Sequence, residues 1–154
     1  MILGLDLSLT ATGIVVLDGE DLVKADTVGY SLKRASSEKE RIERLTMITG
    51  RIMGAIKQFE VKEVCLEGYA YSARGAQNDL GELHGVVKTQ IYLGFRIVPR
   101  IISPSQARKL ALGKGNLPKD KVLDLLTKRG YKLADHNQGD ALVIAQAGRE
   151  KCQS

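Results

Sequence analysis

The 154 residues suffice for one ordinary domain with a sizeable apolar core, and a single domain over 1–154 is expected in place of two full-sized lobes. With 44% apolar and 27% charged residues the composition is globular, and no window approaches the ~20 consecutive apolar residues that cross a bilayer, which sets membrane spans aside. Lys and Arg number 23 against 18 Asp and Glu, and the resulting net charge of +5 favours an anionic partner without specifying one.

In chain order, Met1-Ile-Leu-Gly-Leu-Asp-Leu lacks a basic leader and places a carboxylate at Asp6, so it reads as a strand, not a secretory signal, and a cytoplasmic location is expected. Three β-rich runs, Ile2 to Leu7, Gly13 to Leu17 and Leu22 to Val28, predict an antiparallel meander. Its second turn falls at Asp18-Gly19, a dipeptide tolerant of φ > 0. Ser37-Glu-Lys-Glu40 has the pattern of a capping box. Ile42, Leu45, Ile48, Ile52, Ala55, Ile56 and Phe59 then recur on a helical period.

Val61 to Glu67 is a fourth strand, and Gln77 to Leu93 a second helix closed by Gly94 at C′. Phe95 to Ile102 reads as a fifth strand, which Pro99 places at an edge. Pro104 to Leu112, Pro118 to Arg129 and Gln138 to Arg149 are helical, with Gly130 ending the second of these. Cys65 in an apolar run and Cys152 in a polar tail have neither disulfide nor zinc spacing. The order βββαβαβααα predicts an α/β mixed sheet, three antiparallel strands followed by parallel ones, flanked by helices and with strand one central.

Two strands end alike. Asp6 follows Gly4-Leu5, and Glu67 follows Val64-Cys65-Leu66. An unpaired buried carboxylate costs several kcal/mol, so each acid needs a cation, a metal or exposure at the sheet's end. If strands one and four are neighbours, the two converge. Asp140 opens the apolar run Ala141-Leu-Val-Ile-Ala145, where the positive end of a helix by itself accounts for an acid. Taken singly each acid is explained structurally; together the three can hold hard divalent cations, as phosphodiester hydrolysis commonly uses.

Leu3-Gly-Leu-Asp6-Leu-Ser-Leu-Thr-Ala-Thr-Gly13, Glu67 at the end of strand four, and Gly139-Asp140-Ala141-Leu142-Val-Ile-Ala145 resemble, in order and spacing, the acidic motifs of RuvC-like Holliday-junction resolvases. The resemblance runs from position 3 to 148 and implies an RNase H-like fold with five strands. It further implies a homodimer that nicks four-way DNA junctions, with Asp6, Glu67 and Asp140 catalytic and two Mg²⁺ ions, replaceable by Mn²⁺, at the site. The family carries Asp or His one helical turn before its last acid. Here that position holds Asn137, a neutral fourth ligand ranked above His136, while Asp135 is a helix cap or supporting acid.

The same resemblance places Arg108, Lys109, Lys114 and Lys119 in a basic DNA-contacting stretch, for which a solvated basic face is the competing explanation. It places Tyr69, Tyr71 and Arg74 in the junction-probing loop after Glu67, with Tyr71 favoured as the stacking aromatic. Gly81 and Gly85 permit close approach of the second helix, either to a partner copy or to the chain's own sheet. Three rival functions remain: a nuclease of RNA–DNA hybrids or branched RNA, a nucleotide-binding domain of the actin-like type, and an inactive junction-binding dimer. The actin-like reading requires two lobes, for which the chain is short.

Overall fold

A computed structural model describes residues 1–32, 36–68 and 77–152. Five strands form one sheet in the order β3-β2-β1-β4-β5. β1 (Ile2–Asp6), β2 (Ala11–Asp18) and β3 (Asp21–Gly29) are the antiparallel meander, while β4 (Glu63–Glu67) and β5 (Arg100–Ile102) continue it in parallel from β1. The predicted mixed sheet with a central first strand is therefore the observed one. At the β2–β3 turn, Asp18 pairs with Asp21 and the two loop residues are Gly19 and Glu20, of which only Gly19 has a positive φ, +58°.

Side chains alternate across the sheet and so build two cores. On one face Leu3, Leu5, Ile14, Val16, Val64 and Leu66 pack against α1 (Glu38–Gln58) and α2 (Gln77–Phe95). On the other, Val15, Leu17, Cys65 and Ile102 pack against α5 (His136–Cys152), with α3 (Pro104–Leu112) and α4 (Lys119–Lys128) alongside. The capping box of α1 is present, with Ser37 and Glu40 bonded reciprocally. Among the described residues no helix is long and apolar enough to cross a membrane.

Several boundaries differ from the sequence reading. The fifth strand is confined to Arg100–Ile102: α2 runs through Gly94 to Phe95 and stops at Arg96, whose φ is +58° and whose N–H donates to Tyr92 O at 2.9 Å, and 97–99 join neither element. Gly94 stays helical for a packing reason: a Cβ there would lie 2.7 Å from Met53 Cε of α1. Val61 is not part of β4, since its N–H donates to Ile56 O at 3.0 Å and closes α1. The last helix begins at His136, with Asp135 as its cap.

Candidate active site

Strand alternation aims two acids at one helix. Leu3 and Leu5 face α1 and α2, so Gly4 and Asp6 face α5; by the same rule Cys65 and Glu67 lie on the α5 side of β4. The parallel register pairs Gly4 with Cys65 and Leu5 with Leu66, which brings the ends of β1 and β4, and hence Asp6 and Glu67, side by side.

Small residues then let α5 press onto the sheet. A Cβ added to Gly13 would overlap the Asn137 carbonyl, and one added to Gly4 would overlap the Ala141 carbonyl and lie 2.7 Å from Ala145 N. Further along, Gly148 meets the Cys65 thiol in the same manner. The start of α5 is fixed separately: Asp135 accepts from Gln138 N at 2.9 Å through one oxygen and from Thr27 Oγ1 of β3 at 2.7 Å through the other. Helix and sheet thus hold Asp140 over the two strand-end acids, and one oxygen from each of Asp6, Glu67 and Asp140 lies within 4.8 Å of the others.

The cluster is short of positive charge. Asp6 is 8% exposed and Asp140 3%. Burial, and then the Asp140 carboxylate, push the Asp6 pKa up to about 6. Burial, with Asp6 and Asp140 behind it, pushes Glu67 up to about 7. The compensating cations contact only Asp140. Arg108 donates to Oδ1 at 3.2 Å, and Lys119 Nζ lies 2.8 Å from Oδ2 in an ion pair. Burial works against the Lys119 charge, but Asp140, Asp6 and Glu67 outweigh it and raise its pKa.

Of the other predicted residues, Asn137 is half-buried one turn before Asp140, while His136 is exposed and turns to Asp120 at 3.5 Å. Lys109 and Lys114 are exposed on α3 and in the α3–α4 connection. Tyr69, Tyr71 and Arg74 fall outside the described residues. Beside Glu67 a groove of about 870 Å³ is lined by Gly68, His84, Lys88, Ser103 and Arg108 among others. His84, buried, has its pKa lowered to about 4 by burial and by Lys88, which keeps it neutral near pH 7. The sequence reading places Arg108 along the DNA path and near the acids without pairing it to one of them; its bond to Asp140 spans 32 positions and leaves no local pattern. The Thr27–Asp135 bond, spanning 108, was missed for the same reason.

No protein-family model matches the chain. A crossover junction endodeoxyribonuclease RuvC of Synechocystis sp. is 28% identical over 150 residues, spanning 95% of this chain and 89% of that protein. The Thermus thermophilus RuvC structure superposes with a TM-score of 0.76 at 21% identity, over 99% of this chain and 95% of that one. T. thermophilus RuvC in complex with a Holliday junction substrate gives 0.78 at 22%, over 99% and 94%. The chain is similar to RuvC in sequence and shares its RNase H-like fold. The donor set of this site suits a hard divalent cation: three carboxylates, with no sulfur or imidazole in the cluster among the described residues, two of them with pKa values held up near neutrality by burial and by their mutual repulsion.

Proposed function

We propose that this RuvC-like chain is a metal-dependent endodeoxyribonuclease that resolves four-way (Holliday) DNA junctions, leaving 5′-phosphate and 3′-hydroxyl ends. The observation that carries the reading is the cluster of Asp6, Glu67 and Asp140 within 4.8 Å, on a fold shared with RuvC, one of whose structures holds a Holliday junction. Two Mg²⁺ or Mn²⁺ ions, held by these acids with the Asn137 amide as a neutral fourth ligand, would supply an activated water and stabilise charge on the leaving 3′ oxygen.

The chain's own residues do the rest. The cap and glycine contacts of α5 keep the acids in place as charge changes during reaction, so little reorganisation is needed. Arg108 and Lys119 present positive charge beside the site, suited to holding a phosphate in line for attack. Lys109, Lys114, Tyr69, Tyr71 and Arg74 are assigned to junction contacts by the family resemblance. A homodimer supplies two sites for two symmetric strands. The open side of α2 supports this, because among the described residues an added Cβ at Gly81 or Gly85 meets nothing within 4 Å, so neither glycine is needed for packing on the chain's own sheet. One domain over 1–154, acting on DNA in the cytoplasm, completes the proposal.

The test is cleavage of an end-labelled four-way junction beside duplex, fork and RNA–DNA hybrid controls, with and without Mg²⁺ or Mn²⁺. Paired, metal-dependent nicks in the junction are expected. Equal inactivity on all substrates removes the nuclease reading, and preference for the hybrid transfers it to an RNase H-type activity.

A further inference from the structure

Both oxygens of Asp140 are engaged by cations, but the two cations are held very differently. The Arg108 side chain is 16% exposed, and while Nη2 donates to Asp140 Oδ1 at 3.2 Å, Nη1 donates to Leu117 O at 3.0 Å. Its planar fork is thus anchored at both ends. The Lys119 side chain is 57% exposed, and its ammonium, on a flexible stem, reaches Asp140 Oδ2 at 2.8 Å with no second anchor among the described residues. A lysine on a flexible stem at the solvent boundary can leave; a forked arginine bonded to backbone cannot. The carboxylate it would leave is 3% exposed and would keep its Arg108 bond at Oδ1.

We propose that Lys119 is an exchangeable cation: it neutralises Asp140 while that carboxylate carries no divalent ion, and moves to a DNA phosphate when Asp140 turns to metal ligation. The inference rests on the reading of the acids as a metal centre. A divalent ion taken up by Asp140 sets its charge against the ammonium 2.8 Å from Oδ2 and competes for the same carboxylate, so ligation weakens the hold on Lys119 and favours its departure. The displaced ammonium stays beside the groove next to Glu67, which Arg108 lines, where a strand crossing the acids would place its phosphates. Metal and DNA therefore bind cooperatively. Each removes the competitor of the other, and by linkage the strengthening is reciprocal.

Amine-reactive labelling read by mass spectrometry, with calorimetry of Ca²⁺ binding in parallel, tests this without cleavage as a readout. Lys119 labelling is expected to be low in metal-free protein, to rise severalfold with Ca²⁺ alone, and to fall again when a four-way junction is added. Lys109 and Lys114 should respond to junction only. Lys119→Met is expected to bind Ca²⁺ about fivefold more tightly than wild type in the absence of DNA, the worth of a partly exposed ion pair, and Lys114→Met to shift less. If calorimetry shows the ion bound but Lys119 labelling is unmoved, or Lys119→Met binds no more tightly, the exchange is overturned and the metal centre stands. If wild type binds no ion that Asp140→Asn abolishes, the metal centre falls and the exchange with it.

Discussion

Replacing Asp6 with Asn should abolish cleavage and yet, in metal-free buffer at pH 8, make the protein more stable. A folded pKa of about 6 against an ordinary 3.8 means that ionised Asp6 disfavours the fold by about 3 kcal/mol at pH 8. The folded state binds this proton more tightly than the unfolded chain does, so the penalty is absent below pH 3.8, grows as pH rises to 6 and is complete above it. At pH 5 it is about half its full size. The amide keeps the shape of the carboxylate without its charge, and with an unfolding entropy of ~2 cal/mol/K per residue each kcal/mol raises Tm by about 3 °C. Thermal unfolding at pH 8 in chelator should therefore show Asp6→Asn melting between about 3 and 9 °C above wild type, with the gap narrowing towards pH 4. Millimolar Mg²⁺ should reverse the order, because only wild type gains the stabilisation of a bound ligand. A variant that melts lower than wild type in chelator at pH 8, or a gap indifferent to pH, would refute the account of a charge-starved cluster.

Asp140→Asn should behave oppositely in chelator, since it strips Arg108 and Lys119 of their carboxylate; a lower Tm together with lost cleavage is expected. Cleavage at subsaturating Mg²⁺ should fall as pH drops from 8 to 6, with Glu67 protonating near 7 and Asp6 near 6, and higher Mg²⁺ should move the profile towards acid pH. An unmoved profile would detach the two acids from the metal. Gly13→Ala forces a methyl into the Asn137 carbonyl, and a loss of about 1–3 kcal/mol in denaturant unfolding is expected with reduced turnover. Asn137→Asp should alter the metal concentration for half-maximal cleavage, whereas His136→Ala should leave it unchanged; the converse result would make His136 the ligand.

The two strand-end acids were legible because an apolar strand that closes on a carboxylate breaks its own pattern, and a shared ending predicts a shared place once the strands pair. What pairs them, the register of Gly4 with Cys65, is set by packing on both faces of the sheet and is invisible in either strand alone. Ile97 and Val98 have a β-branched preference that suggests a longer fifth strand, but 96–99 belong to neither α2 nor β5; α2 itself takes Phe95, passing through Gly94 where that glycine fits against Met53. Asp18-Gly19 fixed the hairpin correctly but not which two residues form its loop. The partners of Asp140 and Asp135 lie 32 and 108 positions away, and no local periodicity records contacts of that span.

The glycine channel of the sheet also bears on how the protein is made. Asp6 and Glu67 emerge early in synthesis, but Asp140 arrives only with α5, which must settle onto Gly13 and Gly4 before the three acids meet. A ribosome-bound chain that has not yet delivered α5 exposes the apolar row of Val15, Leu17 and Cys65 and holds no third carboxylate. Prematurely terminated products are therefore prone to aggregate and lack the third carboxylate, so the proposed metal centre can assemble only in chains that have delivered α5.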